Sequence, residues 1–566
     1  MLKNLLIITI LLIWSNNSFA NQDFKQGIST FGDLKYQENF KNFDYVDILA
    51  KKGGHVKFGV EGGFNSLNQF ILKGISASGL SYIYDSLTEG SDDEISSRYG
   101  LVASTIKLSN DKMSIEFKLR KNAYFHDGKK ITADDVIFTF NKLISEGHPS
   151  YKMSFRDVKS VEKINDFHVK FNFKNNKNRD LPILISSLPV LPKHFYEKID
   201  FQKTSMLPPL GSGPYKISEV KANKSITYER VKNYWAKDLA VNKGRYNFDK
   251  ITFDYYHDAN VLVEAFKSQK YDFRQENVAR NWANLYNIEA VKNGEIIKEE
   301  IKHSLPAPMQ AFIFNMRRQK FHDINLRKAI TLAFDFEWLK KNIFYNSYIR
   351  TNSYFANSNF GYKDFQLPKS LADGFNRENL IEAKKILTNS GYKIFKNNLY
   401  NSKNELIEIE FLIDQKTFEM IIAPFINNLK KLGIKAKIKF VEENQYQTRI
   451  NNYDYDIITA VFPQALIPGS ELYSYFHSSQ INIKGGRNLV GINNVAIDDL
   501  INKILKSNSK SELILLSKKL DKKLLEEYYL IPQWHNNSYR ILYRNIFAMP
   551  KIKPNYALAI DSWWIK

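Results

Sequence analysis

Residues 407–441 constrain the fold more tightly than any other stretch of this chain. IEIEFLID (407–414) reads as a strand, and KTFEMIIAPFINNLKKLG (416–433) as a helix that Gly433 stops. IKAKIKFV (434–441) follows, with Ile434, Ala436, Ile438 and Phe440 alternating with Lys435, Lys437 and Lys439. Only a strand with one buried face requires that alternation. Strand, helix and strand in this order predict parallel pairing through a right-handed crossover. The class is therefore α/β.

At 566 residues the chain exceeds what one core can organise, and two or three domains are expected. Upstream, IEFKLRKNAYF (115–125) alternates like a half-buried strand. HDG (126–128) then turns, and ITADDVIFTFNKLISEG forms a helix capped by Thr132, answered by Asp135 and ended by Gly147. VEKINDFHVKFNF (161–173) predicts a hairpin about Asn165 and Asp166. Leu326, Ile330, Phe334 and Ile343 sit at helical spacing and predict one long helix after the strand near Phe312. In residues 446–491 the end of a helix leads into a short apolar strand, Ile457 to Phe462. A long polar loop with Pro463 and Pro468 follows. A rigid strand emptying into a variable loop is a common way to build a binding cleft.

The first twenty residues indicate export. Lys3 precedes an apolar core, Leu5 to Trp14, and SNNSFA places Ser18 and Ala20 at the −3 and −1 positions of a secretory cleavage site. That core is too short for a comfortable span, and no later stretch reaches eighteen apolar residues. With no cysteine, neither disulfides nor a lipidated cysteine anchor are possible, and a free, monomeric protein of a bacterial periplasm is expected. Removing Lys3 with the leader changes the net charge from +21 to +20. The basic residues are spread evenly, without a dense run, a finger spacing or a helix-turn-helix pattern, so the charge does not indicate nucleic-acid binding.

Catalytic patterns are missing. The chain has no G-x-S-x-G, H-E-x-x-H, phosphate loop or dinucleotide fingerprint. Ser109 to Lys112 matches S-x-x-K, which a chain this rich in both residues produces by chance, and no K-T-G accompanies it. The ten histidines show no ligand spacing, so neither a metal nor a cofactor is expected. His126 and Asp127 read as turn residues, and His477 as a hydrogen-bonded structural residue.

IEFKLRKNAYFHDGKKITADDVIFTF (115–140) resembles the signature of the family 5 extracellular solute-binding proteins, the peptide-binding components of ABC importers. LPKHFYEK, GSGPYKI, FIFNMRRQKFHDINLRKAITLAFD and AKKILTNSGY follow in that family's order. QYQTRINNYDYDI, FPQALIPGSE, GGRNLVGI, IPQWH and the terminal SWW look closer still to its YejA-type subgroup. The resemblance implies a type II periplasmic binding fold, two lobes made of three domains, with mixed sheets flanked by helices. Domain I would combine about 21–75, 206–312 and 531–566, domain II would be an insertion at 76–205, and domain III would run over 313–530. It also implies an oligopeptide or peptide conjugate held extended between lobes that close by a hinge and deliver it to a membrane permease. Relatives that bind nickel complexes, haem or sugars supply the alternative within the family, and a secreted hydrolase is the alternative outside it.

Many members place an acidic residue after the strand leaving domain III, where it binds the ligand's amino terminus. Here that stretch reads VFPQALIP, with Gln464 in place of the acid and no carboxylate before Glu471. The substitution points to a ligand with a blocked amino end, a formylated or acylated peptide or a peptidoglycan stem fragment. Phe462, Gln464 and Glu471 are candidate ligand contacts on this edge, with Arg487 and Asn488 of GGRN beside them. Arg487 offers a fork suited to a carboxylate or carbonyl. Phe64 and Asn65 follow the Gly62-Gly63 pair of domain I, and Trp534, His535 and Tyr539 lie where the chain recrosses between lobes. Amino-terminal sequencing of the exported protein is expected to begin at Asn21; a first residue before Lys3 would show an uncleaved leader.

Overall fold

The computed structural model describes residues 24–372 and 376–566, so the leader and its cleavage site after Ala20 lie outside the described residues. Three sheets organise the chain. A seven-stranded sheet takes its strands in the order Ile296–Lys302, Ser538–Arg544, Phe273–Gln275, His55–Glu61, Lys250–Tyr256, Ser225–Arg230 and Tyr215–Lys221. His55–Glu61 runs parallel to both neighbours, whereas the other pairings are antiparallel. The sheet thus draws on three separated stretches of sequence.

A four-stranded antiparallel sheet, Ala103–Leu108, Ser114–Leu119, His168–Phe173 and Val158–Asn165, shares one hydrophobic core with it. The helix Ala133–Glu146 packs here on Val136, Phe140 and Leu143. Asp135 Oδ2 accepts from the Thr132 backbone N–H at 2.9 Å, closing the capping box that TADD predicts.

The third sheet is five-stranded, in the order Lys435–Phe440, Glu408–Ile413, Ile457–Phe462, Met309–Phe314 and Leu530–Pro532. Glu408–Ile413 is parallel to Lys435–Phe440, and the helix Glu419–Lys431 makes the crossover. Gly433 leaves that helix at φ 77°, a left-handed conformation that glycine adopts without penalty. Lys435–Phe440 is one of the two edge strands, and its exposed Lys435 and Lys437 pair across to Glu408 and Glu410. Charged side chains on an edge discourage pairing with another chain's strand. Ile457–Phe462 is central, which explains its apolar run.

Two expectations need correcting. The helix predicted over 324–343 is two helices, Ile324–Ala333 and Phe336–Asn342. Phe334 between them is extended, and Asp335 accepts from the Trp338 N–H at 3.0 Å, starting a new helix where spacing alone continues the old one. The polar loop after Phe462 contains the helix Ser470–Phe476, which buries Leu472, Tyr475 and Phe476 against the sheet. Its aromatics fill a core.

Phe312, Phe334, Phe411 and Phe425 meet between the five-stranded sheet and its helices, with ring centroids 5.3–5.9 Å apart. Phe425 is 2 % exposed and touches all three others. Phe425→Ala is expected to cost about 3–5 kcal/mol through lost burial and the cavity left behind. Urea denaturation followed by circular dichroism checks this; a loss under about 1 kcal/mol would show that the cluster collapses into the space.

Candidate functional site

The loop that follows the strand Ile457–Phe462 reaches, at Leu466, a cleft of about 430 Å³ between the five-stranded body and the rest of the chain. Leu466 of the VFPQALIP stretch, Asn352, Ser353 and the loop 355–363 form one wall. Ile95, Ser304, Pro306 and Tyr556 face them. Three asparagines, three serines and two lysines, Lys363 and Lys510, line it, and no carboxylate does so among the described residues. Amides and hydroxyls of this kind can both donate to and accept from a peptide backbone.

A buried acid holds the wall in shape. Asp521, fully buried in the helix Lys510–Glu526, accepts from the Ser353 hydroxyl at 2.5 Å and from the N–H groups of Tyr354 and Tyr362 at 2.8 and 2.7 Å. Burial pushes its carboxyl up to about 6, against the pull of those donors. The Asn357 amide donates to the carbonyls of His303 and Leu305 at 3.0 and 2.8 Å, tying the wall to one of the two segments that cross between the bodies.

The second crossing runs beside it. The Gln533 N–H donates to the Gln310 carbonyl at 2.9 Å, and Gln310 Nε2 donates to Gln533 Oε1 at 2.7 Å. Trp534 packs on Phe344, centroids 4.3 Å apart, and His535 Nδ1 shares a 3.0 Å hydrogen bond with Thr351 Oγ1. Burial, with neighbouring His303, lowers His535 to about 4. On the far side Arg179 donates to the carbonyls of Pro468, Ile504 and Ser507 at 2.9, 3.3 and 3.2 Å, joining the four-stranded body to the loop after Phe462.

None of the ten residues singled out from sequence lies on the cleft wall. Burial and hydrogen bonding take the Phe462 ring and the Asn488 amide away from a ligand, and they bury the Phe64 ring while leaving its expected backbone contact untested. Phe462 sinks against Tyr475 and Phe476, Phe64 packs on Tyr255, and neither is more than 3 % exposed. Asn488 makes four hydrogen bonds within its own loop, to the carbonyls of His477 and Ile492 and from the N–H groups of Gly491 and Ile492, leaving nothing for a ligand. Asn65 holds the Ile75 N–H, and Arg487 is exposed over the Tyr475 ring at 4.9 Å. Glu471 accepts from the Gly469 N–H at 3.0 Å, and burial raises its carboxyl above the usual range. Gln464 lies two residues from the wall, its Nε2 donating to the Phe462 carbonyl at 3.3 Å while its buried Oε1 has no partner among the described residues. Tyr539 packs on His303, centroids 4.7 Å apart. The wall loop escaped notice because NSYFANSNFGY carries no motif; its density of small polar residues was the one available signal.

Residues 98–483 match the family model described as bacterial extracellular solute-binding proteins, family 5. The chain belongs to this family. It is 34 % identical to the probable peptide-binding protein YejA of Agrobacterium fabrum, over 96 % of this chain and 94 % of that one. It is 32 % identical to the peptidoglycan-binding protein YepA of the same organism, over 95 % and 94 %. Among solved structures, the oligopeptide-binding protein AppA of Bacillus subtilis, in complex with a nonapeptide, superposes with a TM-score of 0.65 at 24 % identity. That match covers 91 % of this chain and all of AppA, and it shows the shared fold. Its family 5 identity and mixed, helix-flanked sheets make this a type II periplasmic binding fold. Among the described residues no helix is long and apolar enough to cross a membrane, and no group of side chains is arranged to hold a metal ion.

His535 gives the crossing a pH signature. Its folded value, about 4, lies below the ordinary 6.5, so the unfolded chain binds more protons between those values. The stability it contributes is complete above pH 6.5 and is lost as pH falls toward 4. The melting temperature is expected to drop more steeply from pH 7 to 4.5 in the native protein than in His535→Gln; parallel curves would refute the assignment.

Proposed function

We propose that this chain captures oligopeptides or peptide conjugates outside the cytoplasmic membrane and hands them to the permease of an ABC importer. The observation that carries this reading is the cleft between the bodies, lined by amides, hydroxyls and lysines and reached by the loop that follows a central strand. Extended peptides bind such walls through their backbone groups, so many side chains are accepted. Family membership and the peptide-binding and peptidoglycan-binding relatives support the same ligand class. The three sheets support a division into a discontinuous first domain, an inserted second and a third around the five-stranded sheet. Rotation about the paired crossings would close the third against the others. The mature protein would act as a periplasmic monomer, released after Ala20, and as a binder without catalysis.

The preferred ligand has a blocked amino end. With Gln464 near the place of the acid and no carboxylate on the wall, a buried ammonium there would lose its ion pair, at about 3–5 kcal/mol if nothing replaced it. Lys363, which makes no ion pair among the described residues, favours an anionic group on the ligand instead, whereas Lys510 already pairs with Asp33 at 3.5 Å. Isothermal titration with matched peptides, free and N-formylated, is expected to favour the formylated member by about tenfold or more, roughly 1.4 kcal/mol. Tighter binding of the free amine would sink the blocked-end reading.

A further inference from the structure

A second cavity, about 750 Å³, is lined by the segment 81–92, Arg245, Tyr246 and residues 557–561, which follow Tyr556 of the cleft in the chain. The two are neighbours, because the Tyr556 N–H donates to the carbonyl of Asp92 at 3.0 Å. Arg245, 8 % exposed, is clamped by Asp561 Oδ2 at 2.6 Å on Nε and by Glu89 Oε1 at 3.0 Å on Nη1, and it lies 4.9 Å from the Tyr246 ring. Its remaining nitrogen, Nη2, has no partner among the described residues.

Asp92 differs from the other acids here. Asp85 is held by Tyr234 and Trp235, and Glu89 and Asp561 by Arg245, whereas the Asp92 carboxylate makes no hydrogen bond or ion pair among the described residues. Its backbone is nevertheless fixed on both sides, the N–H by the Tyr45 hydroxyl at 3.1 Å and the carbonyl by Tyr556. Burial and the charge of Asp561 push its carboxyl up to about 7. A half-buried carboxylate without a cation, in the field of a guanidinium with one free edge, is costly in an empty cavity and complementary to a ligand that brings both charges.

We infer that this cavity receives an α-amino-acid head group, its ammonium on Asp92 and its carboxylate on Arg245 Nη2, carried by the ligand whose backbone lies in the cleft. The inference rests on the peptide reading above. The head group belongs to a side chain of a blocked peptide; a peptide's free amino terminus brings an ammonium with no carboxylate beside it, and the test separates the two.

Titration calorimetry would use three N-acetylated tripeptides identical but for a third residue of diaminopimelate, lysine or norleucine, and the norleucine peptide with a free amino terminus. The native protein is expected to bind them in the order diaminopimelate, lysine, norleucine. Asp92→Asn is expected to weaken the first two at least tenfold and to change the acetylated norleucine peptide less than twofold, which also certifies its fold; Asp92→Ser serves if the first variant misfolds. Equal binding of the three acetylated peptides, or a folded variant that keeps the native preference, would overturn the inference. Tight binding of the free-amine peptide that disappears in Asp92→Asn would make Asp92 an amino-terminal site and overturn both the head-group inference and the blocked-end reading. Failure of the native protein to bind any of the four would defeat both.

Discussion

Gln310 and Gln533 govern how the two bodies of this protein relate. Gln533 is fully buried, and the backbone and side chain of each residue bind the other. The two segments that pass between the bodies are thereby tied side by side instead of crossing independently. Asn357 attaches the cleft wall to one segment, and Thr351 meets His535 on the other. The same paired strip thus holds both the wall and its anchors. Strong hydrogen bonding in a site sheltered from water makes such a strip stiff along its length while leaving bending open.

Much of the fold was legible because its signals are local. The lysine alternation of residues 435–439, the capping pair Thr132 and Asp135, and the apolar run Ile457 to Phe462 each report a strand face, a helix start or a buried strand within a few residues. The cleft wall was not legible, because its shape depends on Asp521, some 160 residues away from the Ser353, Tyr354 and Tyr362 groups it holds. Nothing within the loop announces that partner. Phe462 and Asn488 were misplaced for a related reason. An aromatic ring or an amide in a polar stretch is the same in sequence whether it faces a ligand or a neighbouring turn, and here the helix Ser470–Phe476 and the loop's own backbone claimed them.

Charge is partitioned between the two cavities in a way that net charge conceals. A strongly basic chain keeps its cleft free of acids and gathers Asp85, Glu89, Asp92 and Asp561 about one arginine next door. If the proposed peptide binding holds, backbone contacts common to all peptides leave selectivity to fixed charges of this kind.

The order of strands in the seven-stranded sheet bears on how the molecule is made. Ser538–Arg544 lies inside that sheet, between Ile296–Lys302 and Phe273–Gln275. A chain delivered from its amino end leaves the first body with an open seam until residues 538–544 arrive. The five-stranded body can finish sooner, lacking only Leu530–Pro532 at its edge. The body whose strands begin earliest in the sequence is therefore the one that depends on the latest strand, Ser538–Arg544, for its interior.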